Sequence, residues 1–533
     1  MWGLGLKDDG DDSQRRIIPN LDNAKAPPHF EREGDYHRLI VDGKPFLIFG
    51  GEVIPSTSSS AAYMARKWQG IKALGVNTVL LAVTWEVFEP KEGQFKRDLV
   101  ASLVAQARET DIRVILSRFG SMKGSVNNGK SFHPPTDPAR FTKMRVAKCQ
   151  LVDEKYDDDE YASCDGGKNN DRDNENSDDD TGAWFIAAEK AAFAEFEQQI
   201  EAADAGYDTI LMLQIGSEIA YLNWSRDICD AALAAFDNGI PADYLEFLVR
   251  SGSVLSVADV HAWEEFANGP EGTDELFTTY HIASHINSLA KIAKETYSVP
   301  VIVNVALEQA QGRKHGGPRS ETLHLWKPFA PYIHIYAPQM FHDDYSKILQ
   351  AHGQCDDNIR LLWSAFGTYA AIVVVLLNIE DSGTRSLESQ ILQHTTFLRQ
   401  AVPFLLDAQD QGQPQIRIAT HIWELNKMHF TSGEFYITIN MRINRCMGYG
   451  LAISQGNSKL LLFGQNIEIK AKSRNDDVFS TRILSFRELE LDEQGVLQIR
   501  RTFNADEARG PKVARIRCQT SMIAEVQFHG INN

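Results

Sequence analysis

Short, almost wholly apolar runs recur along this chain, and most alternate with stretches of helical spacing. The runs are Phe46–Glu52, Asn77–Val83, Ile112–Ser117, Ile210–Gln214, Val299–Asn304, Tyr332–Pro338 and Ala371–Leu377. Runs of this length without polar alternation suit strands buried on both faces, as in a parallel sheet covered by helices. Ser60–Leu74, Leu99–Arg108, Phe185–Ala203, Thr278–Thr296 and Asp356–Tyr369 read as helices between them, and Asp227–Glu265 as a helical insertion. Repeated βα units predict an α/β fold of the (β/α)8 TIM-barrel type. A seventh strand is due between Pro338 and Asp356. The stretch His342–Cys355 offers a short helix but no strand-like run, so the seventh strand is missing from the pattern.

From about Ile416 the texture changes. Glu434–Ile439, Lys459–Phe463, Asn466–Ala471, Val496–Arg500 and Ile523–Phe528 read as strands, several with period-two alternation, divided by turns such as Gln455–Asn457. Three parts follow: a disordered tail over 1–30, a barrel over 31–410 and an all-β, sandwich-like domain over 411–533. The hairpin before the first barrel strand is expected to turn at Asp42–Gly43, and Gly75 to end a helix as its C′ residue.

The net charge is -18, and much of it lies in one insert, 153–181. Between Asp153 and Asp180 thirteen acids face three bases, a balance of -10. Such a segment has little to bury and is expected to be a disordered surface loop. No basic stripe is in place to offset phosphate repulsion, which argues against a nucleic-acid partner. The six cysteines form no C-x-x-C pair. Met1–Asp9 lacks the basic and apolar regions of a signal peptide, and no run is long enough to span a bilayer. A cytoplasmic protein with free thiols and no membrane association is therefore expected; oligomeric state is not encoded legibly.

Parallel barrels place their chemistry at the carboxyl ends of the strands. Carboxylates stand there: Glu52, Glu86, Glu89 and, after the fourth strand, Glu218. Two carboxylates across one bond are what glycoside hydrolysis needs. Trp85 and Phe119 are placed to stack on a sugar face, although Trp85 equally suits a core position capping the barrel. Glu89, before Pro90, fits a cap as well as a ligand. Asn304 either bonds a hydroxyl or ties down a loop. No H-E-x-x-H, G-x-S-x-G, P-loop or dinucleotide fingerprint is present. No metal or other cofactor is expected, and His342–Asp344 reads as a solvated loop.

Leu39–Phe46, Gly50–Glu52, Trp85–Pro90 with Glu92–Gly93, Phe119–Ser121 and Gln214–Glu218 together resemble β-galactosidase-like glycoside hydrolases of families 35 and 42. Met447–Ile453 and Arg500–Glu507 resemble the C-terminal β-domain of the microbial and fungal branch. The resemblance implies a carbohydrate substrate, a β-galactoside, and retaining hydrolysis. It gives Glu218 the general acid/base role, and puts Glu52, Trp85, Glu86 and Asn304 around the sugar. The chain departs from the pattern at Ser217, where the family has Asn, and at Gln339 and Phe341, where it has Asp and Tyr. The family's nucleophile, a Glu ending the seventh strand, falls in a segment deleted near Cys355. The missing strand and the missing nucleophile are one deletion. Two readings remain: a glycosidase of impaired activity, with a substitute carboxylate such as Glu380 or Asp381, or a carbohydrate-binding barrel without turnover. The sixth strand is expected to pair directly with Ala371–Leu377.

Overall fold

The structure, a computed structural model, describes residues 25–33, 36–119, 181–216, 235–250, 263, 273–306, 317–319, 322–339, 373–377, 385–410, 416–419, 427–441 and 448–532, the last without a few positions. The acidic insert, the helix read at Asp356–Tyr369 and most of the helical insertion lie outside these residues. Three short antiparallel strands come first: β1 (His29–Glu33), β2 (Tyr36–Val41) and β3 (Lys44–Pro45). β1 begins inside the stretch assigned from composition to a tail ending at residue 30. The β2–β3 turn is Asp42–Gly43, with φ of 52° and 71°. Positive φ at both central residues is what a tight two-residue hairpin turn demands.

The barrel strands follow: β4 (Phe49–Val53), β5 (Thr78–Thr84), β6 (Arg113–Phe119), β7 (Ile210–Ile215), β8 (Val301–Ala306), β9 (Ile335–Gln339) and β10 (Val373–Leu377). They form one parallel sheet in the order β10-β4-β5-β6-β7-β8-β9. The last strand therefore returns to the first, as an eighth barrel strand does. The direct pairing expected between the sixth strand and the last is not found among the described residues. β9 and β10 end the order on opposite sides, and residues 340–372 between them lie outside the described set. β10 instead satisfies its edge against β4, with Leu376 opposite Glu52.

Alternation along the strands separates two apolar layers. Val53, Val79, Leu81, Val83, Val114, Leu116, Leu213, Val301 and Val303 pack outward against Trp68, Leu103, Phe193, Phe196 and Ile286 of the surrounding helices. Ile48, Leu80, Ile115, Met212 and Ile302 point inward, onto Leu39 and Val41 of the opening hairpin. The barrel floor is thus closed by β1–β3, leaving the carboxyl end for chemistry.

The helices are close to their expected places, with one exception. The periodic stretch Ser60–Leu74 forms two helices, Ala61–Ala65 and Trp68–Ala73. Ser60 caps the first by accepting a hydrogen bond from Tyr63 N at 3.3 Å. The break comes where Arg66 N and Lys67 N donate to Tyr63 and Met64 carbonyls, three residues back, tightening the turn. Gly75, φ 72°, ends the second as a C′ residue.

The C-terminal region is a two-sheet β-structure. Its strands are β11 (Ile416–Ala419), β12 (Lys427–Ser432), β13 (Phe435–Met441), β14 (Tyr449–Ser454), β15 (Lys459–Gln465), β16 (Ile467–Ser473), β17 (Val478–Leu491), β18 (Leu497–Thr502), β19 (Ala514–Ile516) and β20 (Met522–Asn532). Six make one sheet, β11-β14-β15-β20-β17-β18, and four the other, β12-β13-β16-β19. Ile437, Ile439, Ile467 and Ile469 of the smaller sheet meet Leu460, Leu462, Val526 and Phe528 of the larger. The other face of the larger sheet is also covered. Leu398, Ala401 and Leu405 of the helix Arg385–Asp410 pack there on Leu451, Leu461 and Phe463, together with Leu47 and Phe49 of the barrel. Covering on both faces explains why β14 and β15 are apolar throughout their middles.

One close approach depends on glycine. Gly450 and Gly464 are opposite one another in β14 and β15. A Cβ on Gly464 would lie 2.4 Å from Tyr449 O and 2.6 Å from Gly450 Cα, both backbone atoms that cannot rotate away. Gly464→Ala is expected to destabilise the C-terminal region by about 1–3 kcal/mol, the usual cost of overpacking. A urea midpoint equal to that of the parent chain would disprove this.

At the same junction His394 is buried, its Nε2 3.0 Å from Tyr449 Oη. Burial lowers the His394 imidazole to about 4, from an unperturbed value of 6.5. The unfolded chain thus takes up this proton first as the pH falls. The stability carried by neutral His394 is complete above pH 6.5 and is lost as the pH drops towards 4, at most about 3 kcal/mol. Carboxylates titrate in the same window, so the measurement compares chains. His394→Phe should lose less stability between pH 7 and 4.5 than the parent; equal losses would remove His394 from the account.

Candidate active site

The inward positions above the apolar floor are polar. Glu52 is on β4, Ser117 on β6, Gln214 on β7 and Asn304 on β8, each in phase with the floor residue two or four places before it in the chain. Ser117 and Gln214 are register partners, and Ala82 of β5 is opposite Ser117. Glu52 and Asn304 are half-buried; Ser117 and Gln214 are buried. Among the described residues the hydroxyls of Ser117 and Thr84 make no hydrogen bond. Buried hydroxyls are normally paired, so the interior offers polar groups suited to a hydroxylated ligand or water. Ser117 and Gln214 were not among the expected site residues. The signal for them was present: each is a polar residue at an inward phase of an otherwise apolar run.

β5 ends at Thr84 and leads directly into the short helix Trp85–Phe88. Glu86 stands in its first turn, half-buried. Trp85 is 2% exposed, and its Nε1 donates to Glu89 Oε2 at 2.6 Å. Glu89 Oε1 accepts from Gly93 N at 2.7 Å. Glu89 is therefore a buried brace between the indole and the Lys91–Gln94 turn, not an N-terminal cap; its backbone N–H closes the end of the helix on Trp85 O. Of the two readings of Trp85, the buried one matches its position. The brace fixes where the backbone carries Glu86.

Glu218 lies outside the described residues, as do Ser217, Phe341, Cys355, Glu380 and Asp381. β7 and the following Gly216, φ 65°, are described and stop two residues before Glu218. Of the expected sugar-site residues, Glu52 and Asn304 share the barrel interior, Glu86 is at the carboxyl end of β5, and Trp85 is beneath it in the core. Among the described residues no three His, Cys, Asp or Glu side chains are grouped to hold a metal ion. No described helix is long and apolar enough to cross a membrane.

Residues 38–129 match the sequence model of Glycosyl hydrolases family 35. Residues 385–514 match a second model, Domain of unknown function (DUF5597). That match begins at the helix packed on the larger β-sheet. A β-galactosidase from Xanthomonas manihotis is 35% identical over 92 residues, which are 17% of this chain and 15% of that protein. Among solved structures, the β-amylase catalytic domain of Paenibacillus polymyxa aligns with a TM-score of 0.38 and 12% identity, over 62% of this chain and 92% of that one. Endo-glycoceramidase II of Rhodococcus sp. aligns with a TM-score of 0.30 and 11% identity, over 91% and 98%. These scores are too low to carry an argument. The sequence match does carry one, because Leu39–Phe46, Gly50–Glu52 and Trp85–Gly93 all fall inside it. Over its first three barrel strands the chain is similar to glycosyl hydrolases of family 35 and to a β-galactosidase, a likeness that spans less than a fifth of this chain and of that relative.

Proposed function

We propose that the chain is a retaining glycoside hydrolase acting on terminal β-galactosides, with turnover slowed by loss of the family's nucleophile segment. The observation that carries this reading is the family 35 match over residues 38–129, which includes Glu52, Trp85 and Glu86. The inward placement of Glu52 and Asn304 supports it. In this reading Glu52, Glu86 and Asn304 hold the sugar, with Trp85 supporting the carboxyl end of β5. Glu218 protonates the leaving oxygen and then activates water. The second reading, a galactoside-binding barrel without turnover, is favoured by a single feature, the missing strand near Cys355.

The test is hydrolysis of a nitrophenyl β-galactoside by the full chain and by a version with a seventh strand and its Glu inserted between Gln354 and Asp356. Slow hydrolysis by the parent and a faster rate after insertion is the expected result. No hydrolysis, with galactose still bound, selects the second reading. Preference for a nitrophenyl β-glucoside in both chains would sink the assignment of substrate.

A further inference from the structure

The outer face of the four-stranded sheet is unlike the rest of this acidic chain. Along β16, Ile467, Ile469 and Ala471 face the sandwich core, so Glu468, Lys470 and Lys472 face outward, and the same phase reaches Arg474. Glu468 is spent on Arg515, 3.9 Å away. Lys470 and Lys472 are exposed and make no ion pair among the described residues. Successive outward cations on this strand are separated by about 7 Å, two strand rises. Beside them on β13, Tyr436 is 53% exposed and stands opposite Lys472. The Arg474 guanidinium lies 5.8 Å from the centre of the Tyr436 ring. Thr438 is opposite Lys470, and His429 Nδ1 is 3.0 Å from its hydroxyl. Glu434 is across from Arg474 at one end of the row, and Glu468, at the other end, is held by Arg515.

An outer sheet face of mixed charge needs only water to explain it. This one combines three successive cations, Lys470, Lys472 and Arg474, with an exposed aromatic ring, in a chain of net charge -18. The ring offers an apolar platform and the row offers point charges to anionic groups spaced along it. The face also points away from the barrel, because the six-stranded sheet and the helix Arg385–Asp410 lie between them. A chain held there leaves the barrel mouth free.

We infer that this face binds an acidic polysaccharide, through the Lys470–Lys472–Arg474 row with Tyr436 as a stacking platform. The choice of a glycan over other polyanions rests on the glycosidase reading of the barrel. The charge and the ring determine the rest: carboxylate-bearing sugars are held and neutral ones are not.

The probe is polygalacturonate, titrated against the full chain by affinity electrophoresis, beside neutral β-1,4-galactan, double-stranded DNA and phosphatidylserine vesicles. Polygalacturonate should retard the chain, and added salt should abolish the retardation. Lys470→Ser with Lys472→Ser should weaken binding about tenfold, and Tyr436→Ala about threefold, while Lys470→Arg with Lys472→Arg retains it. Nitrophenyl galactoside hydrolysis should be the same in all of these variants. Equal retardation by neutral galactan, by DNA or by vesicles overturns the inference, as does polygalacturonate binding that ignores the lysines. Polygalacturonate binding in a chain with a silent galactoside assay supports the face and rejects the barrel reading alone.

Discussion

Asp204→Ala is expected to cost about 3–5 kcal/mol of unfolding free energy, because it leaves several buried donors without an acceptor at about 1–3 kcal/mol each. Asp204 lies between the helix Thr181–Ala203 and β7, and is 1% exposed. Its Oδ1 accepts from Arg108 Nη2 at 2.7 Å and Asp208 N at 3.1 Å. Its Oδ2 accepts from Thr209 N at 3.0 Å, Ile210 N at 2.7 Å and Tyr297 Oη at 2.8 Å. Burial, and then the charge of Asp204, raise the pKa of the Tyr297 hydroxyl, so it stays a donor. Alanine strands Thr209 N, Ile210 N and Tyr297 Oη in the interior, while the half-exposed Arg108 turns to water. Asp204→Asn keeps the shape but turns one oxygen into a donor facing donors, at about 1–3 kcal/mol; Tyr297→Phe removes one bond, at about 1 kcal/mol. Urea unfolding of the three variants checks the order. A loss below about 1 kcal/mol for Asp204→Ala would show that the network is dispensable.

The effect bears on function through β7. Arg108, on the helix Arg97–Thr110, donates to Asp204, to Ala203 O and to Thr209 Oγ1, so one carboxylate ties two helices to the start of the strand. β7 then runs to Gly216, two residues before Glu218. A strand loosened at its start shifts Gln214 against Ser117. Positioning errors of this kind lower rate without touching a reacting group. Asp204→Asn should therefore lower kcat more than it raises KM.

Much of this architecture was legible in the sequence where burial is two-sided. β5, β7 and β8 are apolar over most of their length because helices cover one side and the barrel interior the other, so their runs stand out. Asp42–Gly43 and Gly75 were legible for a different reason: a positive φ restricts the residue more than packing does. β17 was not legible. It is 14 residues long, but its register shifts between Val478 and Ser480, between Ile483 and Ser485, and again near Glu488. Each bulge reverses the phase of the alternation, so no single period runs through it. The two-helix form of Ser60–Leu74 was hidden because the break costs no apolar contact: Met64, Trp68 and Ile71 all reach the core. At the candidate site, the inward placement of Glu52 and Asn304 was legible because both are polar ends of apolar runs. The brace from Glu89 to Trp85 was not, because a four-residue helix and its turn fold the carboxylate back on the indole, and spacing alone does not give that direction.

Glu218→Gln is expected to reduce galactoside hydrolysis by about 10²–10⁴-fold, the usual contribution of one general acid/base. Glutamine keeps the size of the side chain and removes its proton. The loss should depend on the leaving group. A nitrophenolate departs with little help from an acid, so the first step survives better there than with an alkyl galactoside, whose alkoxide needs the proton. A ratio of losses that does not change with leaving group would place Glu218 in binding instead. The absolute rate of the parent decides a second matter. Retaining hydrolysis needs two carboxylates about 5–5.5 Å apart, and the proposed reading has the nucleophile position missing near Cys355. Residual groups acting without their partner retain only what binding and electrostatics give. A parent chain as fast as an ordinary glycosidase, and silenced by Glu218→Gln, would mean that another carboxylate serves as nucleophile. Glu380 and Asp381, just after β10, are then the residues to replace next, because β10 pairs with β4 and brings that end of the sheet beside Glu52.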